Sequence, residues 1–355
     1  MRAVAEPGTS VGFIGAGLPS ALALAGGIVA IDVECLEAPS DMPAPTGELV
    51  EPFVDARVRR VLSQLASDQL AGIQALVFCR DDPVGHIAYI YAQELRRQEL
   101  ISATPSFFLW NLVHRSGASV RTFNEVQARR LEDFLVGCGG ARWSAAALVG
   151  AIEREGARST ARRALIDATR LARISGSEAF LLWRAGGRLA PEAHAERIEA
   201  ALRGASNPAN GAMRIGLIGS PVVDPHLYRA LERHGRIVAD PHPAGLAVMP
   251  SVPVLEGDPL SAILKAEAEN PFALRGLPVA RNHAAIVAAC VAAGCDTVAL
   301  QFDPNDDHVG WDAPALRRAL RDAGISLVEL GFVPAEPAAL DGWVDDAMTA
   351  SGSFA

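Results

Sequence analysis

Twice along this chain a short apolar run ends in a glycine turn and opens into a helix. Residues 11–14 close in Gly15-Ala16-Gly17, and Pro19 then suits the first turn of a helix because its missing N–H is not needed there. Residues 213–218 close in Gly219-Ser220-Pro221 ahead of a helix over 224–234. Around each start the same rhythm continues. In the first half, strands are expected at 28–33, 75–79 and 106–112, with helices at 54–70 and 84–98 and a proline-rich loop over 38–51. In the second half, strands fall at 236–239, 297–302 and 326–330, and helices at 259–268, 282–293 and 313–323. Strands that alternate with helices imply α/β lobes with mainly parallel sheets covered on both faces. Ligands of such sheets sit beyond the carboxyl ends of the strands, and two lobes leave a cleft between them.

The middle has a different period. From Asn124 to Ala205 the pattern is helical, with candidate helices at 145–152, 161–172, 177–185 and 191–202 separated by glycine-containing turns. With 355 residues the chain exceeds one ordinary domain. The expected division is an α/β lobe over 1–123, a helical segment over 124–205 and a second α/β lobe over 206–355, with Asn207-Pro208-Ala209-Asn210-Gly211 as the clearest linker.

Half of the residues are hydrophobic and a fifth are charged, enough for a sizeable core. A net charge of −9 argues against a general nucleic-acid binder, which needs a basic face. The most apolar stretch, 11–33, is broken by five glycines before residue 28 and by Pro19, so no membrane span is expected, and residues 1–10 lack a signal-peptide core. The expected location is the cytoplasm. The five cysteines, at 35, 79, 138, 290 and 295, are odd in number and form no CxxC pair, which argues against a disulfide scaffold. Cys290 and Cys295 flank a helix end, where burial is the plain explanation.

Several groups invite a chemical reading. Gly15-Ala16-Gly17 after a strand allows a nicotinamide site with Asp32 or Glu34 facing a ribose, although Pro19 and Ser20 occupy the last positions of that fingerprint. Free N–H groups at Gly219-Ser220 can receive an anion, or simply form a tight turn. Ser220 has no His–Asp partnership in sequence and gives no hydrolase triad. Asp303, Asp306, Asp307, His308 and Asp312 offer oxygen ligands to a cation, but without the spacing of a calcium loop. Asp240 and His242, flanked by prolines, form a polar loop at a strand end, and His242 is a candidate ligand contact. Cys79 ends a buried strand before Arg80, whose charge favours a thiolate, a fitting place for a metal ligand.

In this order the pieces resemble the subunits of the 2-hydroxyacyl-CoA dehydratase and benzoyl-CoA reductase family. The resemblance runs through Gly17-Leu18-Pro19-Ser20-Ala21-Leu22 and Ala25-Gly26-Gly27, then Phe78-Cys79-Arg80-Asp81 and Arg173-Ile174-Ser175-Gly176. It is clearest in Arg214-Ile215-Gly216-Leu217-Ile218-Gly219-Ser220-Pro221, Leu231-Glu232-Arg233-His234-Gly235, Asp258-Pro259-Leu260, Gln301-Phe302-Asp303-Pro304 and 316–330. It implies two Rossmann-like lobes, a paired and related subunit, and a [4Fe–4S] cluster held by three cysteines per subunit. It also implies an ATP-hydrolysing activator that supplies an electron, and an acyl-CoA thioester as substrate.

The chain departs from that pattern at the ligands. Cys79 matches the middle cysteine; the first would fall near 55–59 and the third between Phe302 and Asp303, and neither is present. Asp55 and Asp303 stand there as oxygen donors, whereas clusters prefer thiolate. The family's Pro-x-Glu is Pro19-Ser20-Ala21 here. The expectation is a cluster-poor partner subunit of an acyl-CoA dehydratase or reductase complex, beside a cysteine-bearing paralogue. Gly17, Ser20, Gly219 and Ser220 are expected to line its cleft, and Cys79, Asp303 and His242 its floor. The alternatives are an active iron–sulfur dehydratase or reductase with atypical ligands, and a stand-alone protein binding CoA or another anionic small molecule.

Overall fold

In the computed structural model, the described residues are 10–39, 41–51, 53–205, 211–246, 252–273, 278–303, 306–334 and 337–352. The expected linker positions 207–210 and Pro304 lie outside them. The chain divides into two compact units. Unit 1 comprises Met1–Ala157, Ala185–Glu192 and Pro250–Asn270, and unit 2 comprises Arg158–Arg184, Ala193–Met249 and Pro271–Ala355.

Unit 1 is built on strands β1 (Ser10–Ile14), β2 (Val29–Asp32), β3 (Ala75–Cys79) and β4 (Ser106–Trp110), all parallel in the order β2-β1-β3-β4. Successive side chains of a strand point to opposite faces, and β3 shows it directly. Ala75, Val77 and Cys79 join a core formed with α1 (Ser20–Ala25), α5 (Ala118–Gly137) and α10 (Pro259–Ala268). Leu76 and Phe78 join the opposite core, with α3 (Ala56–Ala66) and α4 (Pro83–Arg97). Both helices on that face have carboxylate caps: Asp55 accepts from the Arg57 amide at 2.6 Å, and Asp82 from that of Val84 at 2.9 Å.

Unit 2 repeats the plan. Its strands β5 (Arg214–Gly219), β6 (Arg236–Ala239), β7 (Thr297–Phe302) and β8 (Ser326–Phe332) are parallel in the order β6-β5-β7-β8. Ile215 and Leu217 face one core with α7 (Gly176–Ala185), α9 (His226–Glu232) and α13 (Pro337–Gly352). Ile218, Val298 and Leu300 face the other, with α11 (Val279–Ala292) and α12 (Asp307–Asp322). Cys290 and Cys295 are buried in this second core, as their sequence positions suggest. Among the described residues, no helix is long and apolar enough to cross a membrane.

The two parallel sheets match the expected α/β class. Four local expectations change. The helices expected at 145–152 and 161–172 are one helix, α6 (Ala145–Arg170), which runs through Gly156. A single glycine costs about 1 kcal/mol in a helix and is outweighed by burial of Leu148, Ile152, Ala161 and Leu165. The proline-rich loop contains a short helix, α2 (Thr46–Leu49). Helix α12 starts at Asp307 rather than near Ala313, so Pro314, which invites a start there, lies inside it. Beyond β8, α13 closes unit 2 by packing Leu340, Val344 and Met348 into the core.

Gly219 has φ of +119°, and a Cβ there would lie 1.9 Å from the Gln301 carbonyl oxygen. Gly219→Ala is therefore expected to destabilise the protein by at least about 2 kcal/mol, from backbone strain and displacement of β7. Urea unfolding of the variant checks this.

Candidate functional site

In unit 1 the strand order reverses between β1 and β3, which places the ligand-binding position of such a sheet at their carboxyl ends. Gly15 and Gly17 follow β1, and Arg80, Asp81 and Asp82 follow β3. Glu34, just past β2, and Arg57, in the first turn of α3, reach the same place. The Arg57 guanidinium bonds Glu34 through Nε to Oε1 at 2.7 Å and through a terminal nitrogen to Oε2 at 3.0 Å. The same terminal nitrogen lies 3.3 Å from Asp82 Oδ2. The Gly15 amide donates to Glu34 Oε2 at 3.3 Å.

These charges are deeply placed: the side chains of Arg57, Glu34 and Asp82 are 13%, 5% and 2% exposed. Burial alone would lower the Arg57 pKa, but the charges of Glu34 and Asp82 outweigh it and hold the guanidinium above its ordinary value. Burial raises the Asp82 carboxyl, and Arg57 opposes that rise. The nicotinamide alternative loses its groups here. The Gly15 amide and Glu34 are engaged with each other. Asp32 accepts from the Glu34 amide at 2.9 Å and from Cys35 Sγ at 3.1 Å.

A second cluster adjoins the first. His114, four residues past β4, places Nε2 2.7 Å from Asp81 Oδ2 and Nδ1 3.2 Å from the backbone carbonyl of Glu267, in the last turn of α10. A carbonyl can only accept, so Nδ1 carries a proton. Burial pulls the imidazole pKa down, but the hydrogen bond and charge of Asp81, with Glu267 adding, hold it above its ordinary value. Asp81 Oδ1 is buried with no hydrogen-bond partner among the described residues. The Asp81 carboxyl fills the space beside Gly17, where a Cβ would stand 2.0 Å from Oδ2. Trp110 Nε1 donates to the Gly17 carbonyl at 2.9 Å. Glu267 is half-buried as a residue, yet burial pushes its carboxyl up to about 7, against the opposing charge of His114.

The thiol expected to bind metal sits elsewhere. Cys79 is 0% exposed and packs in the core beneath β3, where burial, with Asp81 and Asp82 adding, pushes its pKa well above the ordinary value. A cubane needs thiolates, and burial among apolar groups disfavours that form. Near 55–59, Asp55 caps α3 and Arg57 holds two carboxylates. Among the described residues, no group of three His, Cys, Asp or Glu side chains is placed to hold a metal ion. The donors of unit 1 do not fit a [4Fe–4S] cluster. Ser20, at the start of α1, donates through its hydroxyl to Glu155 Oε1 at 2.7 Å.

In unit 2 the expected residues gather at the ends of β5, β6 and β7. Gly219 ends β5. The Ser220 amide donates to the Gln301 carbonyl at 3.2 Å, and its buried hydroxyl accepts from the Asp303 amide at 2.9 Å. The amides of Val222, at 3.4 Å, and Ala244, at 3.2 Å, donate to His242 Nδ1, so the proton is on Nε2. Nε2 donates to the Tyr228 hydroxyl at 2.7 Å, and Tyr228 donates to Asp240 Oδ2 at 2.7 Å. Burial, with the charge of Arg184, lowers His242 to about 3, so the ring is neutral. This relay fixes the loop after β6. In the acidic segment, the Val309 amide donates to Asp306 Oδ1 at 3.4 Å, and Asp312 lies 3.8 Å from His283. The side chains of Asp307 and His308 lie outside the described residues.

Sequence reasoning passed over Arg57, His114 and Glu267. Arg57 reads as one of three arginines on an amphipathic helix, His114 as a lone histidine, and Glu267 as an ordinary acidic helix residue. Only the closing of the strands makes them neighbours.

Arg57→Met leaves Glu34 and Asp82 buried without their cation. The expected cost is about 3–5 kcal/mol, read by chemical denaturation.

The sequence profile of the family described as 2-hydroxyglutaryl-CoA dehydratase, D-component, matches residues 87–332, more than half of the chain. No curated protein matches it.

Proposed function

Since the chain belongs to the 2-hydroxyglutaryl-CoA dehydratase D-component family, we propose that it is a subunit of a 2-hydroxyacyl-CoA dehydratase-type complex, and within it a cluster-poor partner that grips the acyl-CoA. The observation that carries this reading is Arg57. It stands in the segment where the resemblance expects the first cluster thiolate, and it is spent on an internal ion pair with Glu34 and Asp82. Asp55, the oxygen donor of that segment, is engaged as the cap of α3, accepting from the Arg57 amide at 2.6 Å.

On this reading a related subunit bearing three cysteines holds the cluster, and an ATP-hydrolysing activator serves that subunit. Gly17 and Ser20 border the acyl-CoA at the strand ends of unit 1. In unit 2, taken by itself, Gly219, Ser220 and His242 are the candidate binding positions, through turn shape and backbone, because their polar side-chain atoms are already engaged. Cys79 and Asp303 keep the family's ligand positions without its donor set. The complex works in the cytoplasm.

The test is co-production, without oxygen, of this chain with a three-cysteine paralogue encoded beside it. The expected result is a stable complex with one cluster's iron and sulfide, and no iron on this chain purified alone. A chain that carries stoichiometric iron by itself, and forms no complex with the paralogue, contradicts the proposal.

A further inference from the structure

Two of the five thiols meet at the end of α11. Ala293 is the C-cap of that helix, and Gly294 follows with φ of +61°. The Gly294 amide donates to the Val291 carbonyl at 2.9 Å, and the Cys295 amide to the Cys290 carbonyl at 3.1 Å. These two bonds define a helix-closing motif in which the first and last of six residues turn toward each other, ordinarily as an apolar contact. Here both are cysteines. The direct backbone bond between them also brings their Cα atoms within the roughly 4.4–6.8 Å that a disulfide spans.

The sulfurs converge on one place. A Cβ on Gly216, in β5, would stand 3.2 Å from Cys295 Sγ and 3.4 Å from Cys290 Sγ, so both sulfurs pack where that side chain is missing. The two thiols hydrogen-bond to each other. That bond, with burial, holds Cys290 above its ordinary pKa, so Cys290 keeps its proton and donates it. The same bond lowers Cys295, with burial opposing and the charge of Arg214 adding. Arg214 reaches the motif directly, donating from Nε to the Gly294 carbonyl at 2.9 Å. Cys290 is fully buried, whereas Cys295 is 9% exposed and stands between the exposed Gly294 and Asp296. Cys295 is therefore the sulfur nearer solvent and the better nucleophile, with Cys290 directly behind it.

We propose that Cys290 and Cys295 form a redox modification site, which hydrogen peroxide converts to an intramolecular disulfide across the end of α11 and a small thiol restores. The Cys295 thiolate attacks one peroxide oxygen, the O–O bond breaks, and the leaving oxygen departs as water with the proton that Cys295 gave up. Cys295 then carries a sulfenic acid. Cys290 Sγ attacks the Cys295 sulfur, the S–O bond breaks and the S–S bond forms. The second water leaves with the proton of Cys290. Together the sulfurs lose two electrons and two protons, and the peroxide gains them. The site lies within unit 2 and does not rest on the acyl-CoA reading.

The segment between Arg281 and Arg317 contains no other Arg or Lys and holds these two cysteines without the other three, so one tryptic peptide reports the pair. The experiment treats the whole folded chain with hydrogen peroxide, blocks the remaining thiols with iodoacetamide and weighs that peptide. It is expected to be two hydrogens lighter and to carry no alkyl group. After dithiothreitol it should take up two. Cys290→Ala removes the second thiol, and Cys295 should then stop at a sulfenic acid that dimedone traps. The proposal is overturned if both cysteines of the folded chain survive as thiols at a peroxide concentration that oxidises them in the urea-unfolded chain. It is equally overturned if Cys295 passes irreversibly to the sulfonic acid or joins a cysteine other than Cys290. The wild-type measurement decides these outcomes by itself, even where Cys290→Ala fails to fold.

Discussion

The buried ion pairs of Arg57 are what close the strand ends of unit 1. Four segments meet on that guanidinium: the turn after β1 through the Gly15 amide and Glu34, the segment after β2 through Glu34, the first turn of α3 through Arg57, and the cap of α4 through Asp82. Desolvating such charges is expensive, and their attraction offsets the cost only when geometry and hydrogen bonding are good. The two-pronged contact with Glu34 supplies that geometry, and the Gly15 amide takes up a remaining lone pair. Removing Arg57 strands two carboxylates in a poorly solvated place, whereas removing either carboxylate leaves the guanidinium paired with the other.

The same closure explains why the three familiar uses of this strand-end position are not what the residues offer. A dinucleotide phosphate needs free amides in the glycine turn, and Gly15 has given its own to Glu34. A cluster needs thiolates, and Cys79 points into the core. An anion needs uncompensated positive charge, and both Arg57 and His114 are matched by carboxylates.

The alternation of strands and helices was legible because it depends on local periodicity and on glycine and proline turns. Gly15-Ala16-Gly17 and Gly219-Ser220-Pro221 mark the ends of β1 and β5, and the apolar runs of β3 and β7 are long enough to stand out. The unbroken α6 was not legible, because the penalty for Gly156 is local while the burial that overrides it is tertiary. The site was less legible than the fold. Glu34 and Arg57 are 23 residues apart, Asp81 and His114 33, and His114 and Glu267 153. No spacing rule joins such positions; each residue taken alone reads as a solvated charge. The resemblance to a family led to the right relatives but drew attention to its ligand positions, and in this chain buried ion pairs stand beside them.

The most direct test of this account is anaerobic reconstitution of the isolated chain with ferrous iron and sulfide, followed by thermal unfolding. A fold closed by Arg57, Glu34 and Asp82 should keep the same Tm with and without iron and sulfide, and should carry no iron that depends on Cys79. Stoichiometric iron that raises the Tm, as any ligand specific to the native state must, and that is lost in Cys79→Ser, would contradict it.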